Sequence, residues 1–428
     1  MTRITCRVKA ITRAHAIAVT ALLAHCLVGC AQLRSASDQR DVVLEWNELT
    51  VNLVRSDRTS PADAARDLAL VHASMFDAVN SIDRKYTAYS ITVDALPGAS
   101  PQAAAAAAAA AVMLDRYPKH KDRIDAALKS TVGEDQSSQA GAQVGATVGA
   151  RLLDARRNDG WSTREPYMPA VQPGVWQPVP PQFAKTSAPN LAALRPFVMK
   201  ATSQFRISKL PGLDSAEYAE EFVYIRDIGA KASKVRTPDQ EAIAQFWLDG
   251  AGTFTPPGHW NAVYVELAKS RGFDWRENLR NLALLNLALA DSTIIDSDQK
   301  YTFNRWRPIT AIRGADTIKN ARIVPVKDWE PFLPTPNSPA YVSGHSTFAG
   351  AADGALTAIF GRNAGFMIAA DPSVKMAPRS YLTIRQAAED AGASRIYGGV
   401  HWPSDNRDGL AAGRELGTYV VQSVLRPR

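Results

Sequence analysis

The sequence predicts an all-α protein. Helical periodicity recurs along most of its 428 residues, strand-like alternation is confined to a few short runs, and helix-start signals precede the periodic stretches. Ser60 to Ile82 begins with a Ser cap and a Pro at the first helical position. Ala103 to Ala111 is an unbroken alanine run leading into Val112, Met113 and Leu114, which predicts a helix that packs closely on a neighbour. Residues 136–157 also read as helical, with Gly and Ala on the close-packing side. Residues 158–196 carry eight prolines together with Trp161, Tyr167 and Trp176, and are expected to form a long ordered loop. Helical pattern returns from about 214 to 299 and alternates with short loops thereafter.

The first thirty residues differ from the rest. Arg3, Arg7, Lys9 and Arg13 form a basic start with no acid, Ala16 to Ala24 is a short apolar stretch, and Leu27-Val28-Gly29-Cys30 follows. This is expected to be a secretory signal ending in a lipobox, with Cys30 lipidated and becoming the new N-terminus. The expected division is a signal over 1–29, a tether and lead-in over 30–58, and one helical domain over 59–428 with its site in 296–410. Ala31 after the Cys points to outer-membrane sorting in a Gram-negative host, so the protein is expected to be exported and held in the cell envelope by a lipid at Cys30 alone. Cys6 and Cys26 would leave with the signal, so the mature chain has no thiol for disulfides, catalysis or metal binding. Loss of four basic residues takes the formal charge from +7 to +3. With no Lys/Arg tract interleaved with aromatics, no nucleic-acid partner is expected. No later segment has the run of about 18 apolar residues that a spanning helix needs.

Three pieces of the C-terminal third carry the chemistry. In KYTFNRWRP, Lys300 and Arg307 are seven residues apart, which on a continuous helix puts both cations on one face, with Pro308 stopping or bending it. With Arg305 also present, a solvated basic face is the plain alternative. In SPAYVSGHSTFAGA, Ser343, Gly344 and His345 stand before a small-residue helix, whose N-terminal N–H groups suit an anion. Ser343 adds a hydroxyl, Gly344 a close backbone approach, and His345 a proton carrier. In SRIYGGVHWPSD, Arg395 supplies a permanent forked cation, and Asp405 stands one helical turn after His401, placed to fix its ring. Two other histidines read differently. His72 lies on an apolar helix and is expected to be a packed core residue; His259, in PPGHWNAVYVEL, is expected either to face a pocket or to cap its helix.

The order Lys-x6-Arg-Pro, Ser-Gly-His, Ser-Arg-x5-His-x3-Asp resembles the signature of the vanadium-dependent haloperoxidases and the type 2 phosphatidic acid phosphatase superfamily. Ten fixed residues in three movable pieces arise by chance about once in a million sequences. ARDLALVHASMFDAVN, TPPGHWN, DQKYTFNRWRPITAIR and YVSGHSTFAGA are similar to the soluble, exported bacterial haloperoxidases. The resemblance implies helical bundles and a vanadate cofactor, in a cage that phosphate can also occupy. It implies His401 as the ligand to vanadium, oriented by Asp405. Lys300, Arg307, Ser343, Gly344 and Arg395 would bind the oxyanion, Lys300 would polarise bound peroxide, and His345 would act as acid–base. The partners so implied are hydrogen peroxide, a halide and an organic acceptor.

Val342 stands where many members have Pro. Ser338, seven before His345, and Ser297, three before Lys300, stand where related peroxidases often have bulky rings. These departures favour bromide or iodide over chloride. They also leave room for a phosphate ester, so an acid phosphatase working through a phosphohistidine is the alternative, and a non-enzymatic anion-binding lipoprotein a distant one.

Overall fold

The computed structural model describes residues 41–163, 167–186, 191, 193–207 and 209–428. The signal segment, Cys30 and Ala31 lie outside the described residues. Helices α1 (Val42–Ser56), α2 (Pro61–Asp83), α3 (Pro101–Arg116), α4 (Lys121–Thr131) and α5 (Gln136–Ala155) come first. After the proline-rich segment come α6 (Ala216–Ile228), α7 (Pro238–Phe246), α8 (Thr255–Arg271), α9 (Trp275–Phe303) and α10 (Pro308–Arg313). The last third holds α11 (Gly344–Phe360), a hairpin of β1 (Phe366–Ile368) and β2 (Arg379–Tyr381), then α12 (Ile384–Tyr397) and α13 (Pro403–Ser423). The two strands pair antiparallel with Phe366 opposite Tyr381, and they are the only sheet among the described residues. The all-α expectation holds.

Caps explain where the helices begin. Ser60 accepts from Asp63 N, Ser100 from Ala103 N, and Asp274 from Arg276 N and Glu277 N, each satisfying an N–H that the first turn would otherwise leave open. The lead-in expected over 30–58 is, from Val42, a core helix: Val43, Trp46, Leu53 and Val54 are buried in the main apolar cluster. The body accordingly starts at Val42, ahead of the expected boundary.

The alanine run does pack closely. A Cβ added at Gly145 of α5 would stand 2.1 Å from Ala104 O of α3, so these backbones touch. The same device sets α11 against α13. A Cβ at Gly350 would stand 2.3 Å from Leu410 O, and at Gly413 2.2 Å from Thr347 O. Residue numbers rise together along this contact, so the two helices run parallel. Their N-termini therefore lie side by side, and Ser343 N donates to Asp405 O at 3.1 Å. That places two positive helix ends at one spot.

The proline-rich segment borders this region. Trp176 N donates to Asn304 O (2.8 Å), Trp306 N to Gly174 O (2.9 Å), and Asn337 Nδ2 to Lys185 O (2.9 Å). It thus clamps the α9–α10 junction. Residues 318–343 are also irregular in the main, where short loops were expected.

The backbone contact of α11 and α13 has a measurable consequence. Gly417→Val would push a side chain against Ala351 O, 2.2 Å from the first added carbon. Overpacking of this kind typically costs about 1–3 kcal/mol. The unfolding free energy from urea denaturation is expected to fall by that amount, with a lower midpoint, and an unchanged midpoint would show that the helices are not in contact there.

Candidate active site

The site forms where three breaks in regular structure meet. Helix α9 ends at Asn304, which is left-handed (φ 55°). Asn tolerates that conformation better than most residues. Lys300 therefore lies in the last turn of α9, while Arg307 lies beyond it in extended backbone (φ −80°, ψ 154°) as the cap of α10. This corrects the expectation of one continuous helix face: the two cations converge through a chain reversal. Pro308 also begins α10 at its first position instead of stopping α9. Arg305 is 4% exposed, which overturns the solvated basic face.

Ser343 caps α11, its Oγ accepting from Ser346 N (3.3 Å). Gly344 is the first helical residue, and a Cβ there would approach Asp296 Oδ1 at 3.2 Å. His401 stands before α13, outside the helix, with Trp402 as cap. The pairing with Asp405 is produced by the cap: Asp405 Oδ2 accepts from Trp402 N (2.9 Å) and from His401 Nδ1 (3.1 Å).

The contacts define His401. Nδ1 carries the proton, because its partner is a carboxylate oxygen. Nε2 accepts from Arg307 Nη1 at 2.9 Å, so that nitrogen presents its lone pair. Arg307 also donates to Val400 O (2.7 Å), Ser338 O (2.7 Å) and Ser338 Oγ (3.1 Å). Lys300 Nζ donates to Val342 O and pairs with Asp296 Oδ1 at 3.2 Å. Val342, at the position where many relatives have Pro, contributes through its backbone. His345 Nε2 donates to Leu248 O (3.2 Å), which leaves Nδ1 as its free base.

Electrostatically the site is short of anions at two places. Neither Arg307 nor Arg395 makes an ion pair with a carboxylate among the described residues, although they are 1% and 3% exposed. Arg395 Nε and Nη1 are buried with no hydrogen-bond partner there. Burial lowers both guanidiniums to about 10, with Asp405 opposing the shift for Arg307 and Asp249 for Arg395. Burial likewise lowers Lys300 against the pull of Asp296. His401 is held well below the usual imidazole range by burial and then by Arg307, Lys300 and Arg395. His345 is lowered by burial and Arg395. Both rings are thus neutral at neutral pH and able to act through a lone pair. Buried guanidiniums need a partner, and two parallel helix ends supply more donors. The donor set fits an oxyanion such as vanadate or phosphate.

Lys300, Arg307, Ser343, His401 and Asp405 are joined by direct contacts or through one backbone group. Arg395 and His345 lie within electrostatic reach of them. Sequence reasoning missed four contributors: Asp296, Leu248, Arg305 and Glu221. Of these only Asp296 had a local signal, as an acid four residues before Lys300 on a helix. His259 does not cap its helix. It lies within α8, stacks on Trp247 at 4.4 Å, and holds Asp249 through Nδ1 at 3.1 Å. His72 is a core residue, with Nε2 on Asn47 Oδ1 at 3.0 Å and burial lowering it to about 3.

The chain is similar to known proteins. Residues 280–428 match the family model for the VCPO second helical-bundle domain. The vanadium chloroperoxidase of Curvularia inaequalis is 30% identical over 189 residues, which cover 36% of this chain and 31% of that protein, so the match spans under a third of the relative's length. The crystal structure of the first bacterial vanadium-dependent iodoperoxidase superposes with a TM-score of 0.80 at 26% identity, over 90% of this chain and 97% of that one. An apo-type bacterial vanadium-dependent chloroperoxidase superposes at 0.69 with 16% identity, over 84% of this chain and 92% of that one, and shares the fold. The motif-bearing bundle and the superposition over 90% of the chain point the same way: they support an enzyme of the vanadium haloperoxidase type.

Proposed function

We propose that this chain is a vanadate-dependent haloperoxidase that oxidises iodide or bromide with hydrogen peroxide to hypohalous acid, which halogenates an organic acceptor. The observation that carries the reading is the pair of buried guanidiniums, Arg307 and Arg395, without a carboxylate contact among the described residues, beside a neutral His401 whose Nε2 is unprotonated.

In this reading His401 Nε2 would hold the vanadium, and Asp405 fixes the ring. Lys300, Arg307 and Arg395 neutralise the oxyanion's oxygens with donors fixed in advance, together with Ser343 and the Gly344 amide. Vanadate, when bound, supplies Lewis acidity toward peroxide. His345 takes the peroxide proton at Nδ1, its Nε2 being engaged by Leu248 O. Lys300 is paired with Asp296 and would donate toward the peroxide. For the halide, Ser338 and Ser297 leave the cage without the rings found in many relatives. Ser338 Oγ is tied to Arg307, and Ser297 Oγ is buried without a partner among the described residues. The likeness to an iodoperoxidase supports the same choice. We also propose export and lipidation at Cys30, on the strength of the leader alone. Cys30→Ala is expected to lose incorporation of labelled fatty acid, and retained label would contradict it.

The direct test is reconstitution. Protein dialysed against chelator in phosphate-free buffer is expected to gain peroxide-dependent triiodide formation on adding orthovanadate. Hydrolysis of p-nitrophenyl phosphate, with orthovanadate acting only as an inhibitor, would favour the phosphatase instead.

The two histidines are expected to fail differently. His401→Ala should abolish turnover and greatly weaken vanadate retention. His345→Ala should keep most of the affinity while turnover falls by about 10² to 10⁴, the usual worth of general acid–base help. Equal loss of affinity in both, measured by equilibrium dialysis, would show that these roles are wrongly assigned.

A further inference from the structure

A second buried layer lies behind the His401–Asp405 pair. It starts from Arg305, whose backbone is fixed by Ala340 N donating to its carbonyl at 2.8 Å. The guanidinium lies over the Trp402 ring, 4.9 Å from the centroid. Nη1 donates to Asp405 Oδ1 (3.0 Å) and to Ser404 Oγ (2.6 Å); Nη2 donates to Glu221 Oε2 (2.9 Å). Glu221, reaching across from α6, also accepts from Ser404 N (2.6 Å) and Ser404 Oγ (2.9 Å). Ser404 Oγ therefore accepts from Arg305 and donates to Glu221. Arg305, Ser404 and Asp405 are 4%, 0% and 0% exposed, and Glu221 is 7%.

We propose that Glu221 and Arg305 are positioning residues that hold Asp405, and through it the His401 ring, in the orientation that presents Nε2 to the oxyanion. The proposal rests on the reading of this site as an oxyanion cage and deepens it. Asp405 Oδ2 is shared between His401 and Trp402 N, and these two bonds do not by themselves stop the carboxylate from turning. Arg305 holds the other oxygen. A guanidinium fork can grip Asp405 and Glu221 at once, whereas an ammonium is a single flexible point charge. Glu221 in turn aims Arg305. It also satisfies an open N–H in the first turn of α13, where negative charge is favoured. The chain of bonds runs Glu221, Arg305, Asp405, His401, and each link is buried. Arg305 also meets the charge of Asp405 from behind, so that carboxylate need not be met by a second proton on His401.

The test uses the full chain and the variants Glu221→Gln, Arg305→Met and Arg305→Lys, with Asp405→Asn as reference, each checked for folding by circular dichroism. Two readouts are taken. In vanadate-free protein labelled with ¹⁵N-histidine, the hydrogen-bonded Nδ1 proton of His401 is followed by NMR and assigned by its loss in His401→Gln. Orthovanadate affinity is measured by equilibrium dialysis. Arg305→Met should lose the Nδ1 signal and weaken vanadate about 10 to 100-fold, as expected for partners that orient a ligand. Glu221→Gln should move both readouts the same way by about 10-fold in affinity, and Arg305→Lys should recover part of each. Arg305→Met combined with Asp405→Asn should be no weaker than Asp405→Asn alone, because Arg305 acts through Asp405.

A mere fold staple would lower stability and leave both readouts of the folded protein at wild-type values, which would overturn the proposal. Losses that multiply in the double variant would overturn it as well. If Arg305→Met does not fold, Glu221→Gln, which keeps length and shape, decides. If wild-type protein does not bind orthovanadate, the haloperoxidase reading fails, and the NMR arm still decides whether Glu221 and Arg305 position His401.

Discussion

Arg307 and Arg395 are buried with no carboxylate touching them among the described residues. Taking an ion out of water costs several kcal/mol even after the surroundings relax, and an arriving anion would offset part of that cost. Everything near these two groups is consistent with waiting for one. Two helix N-termini point at the same place, two histidines are kept neutral, and the remaining cations are matched: Lys300 with Asp296, Arg305 with Glu221 and Asp405.

The constraint behind this convergence is backbone contact. Residues 343–345 and 401–405 are distant in sequence, and they meet because α11 and α13 lie parallel with glycine against carbonyl oxygen at Gly350 and Gly413. A side chain at either position would separate the helices and with them Ser343 and Asp405. The proline-rich segment fixes the third piece by bonding to Asn304 and Trp306, on either side of Arg305. Rigid helices thus hold two pieces of the cage, and a strapped chain break holds the other.

Much of this was legible in the sequence, for physical reasons. Oxyanion binding needs permanent cations, helix ends and a histidine with a carboxylate, and those residue types stand in a fixed order from Lys300 to Asp405. The alanine run and the small residues of 136–157 each announced a closely packed helix, and Ser60 with Pro61 announced a helix start. What failed was local continuity. One left-handed residue, Asn304, reverses the chain and defeats the helical count between Lys300 and Arg307. Pro308 fits a helix start as well as a helix stop. Arg305 looked solvated because its partner Glu221 lies 84 positions away, and pairing at that range leaves no local pattern. Leu248 acts through a backbone carbonyl, which any residue supplies. The lead-in from Val42 was underestimated because an isolated amphipathic segment gives no sign of what it will pack against.

The central claim is that these cations and His401 enclose an oxyanion bonded at one nitrogen. A diffraction experiment on crystals soaked in orthovanadate, with data collected for the anomalous signal of vanadium, tests it most directly. The account predicts one anomalous peak within bonding distance of His401 Nε2, with Arg307, Arg395 and Lys300 turned onto its oxygens. A peak at another place, or a cage that stays without one while vanadate saturates the crystal, would contradict it.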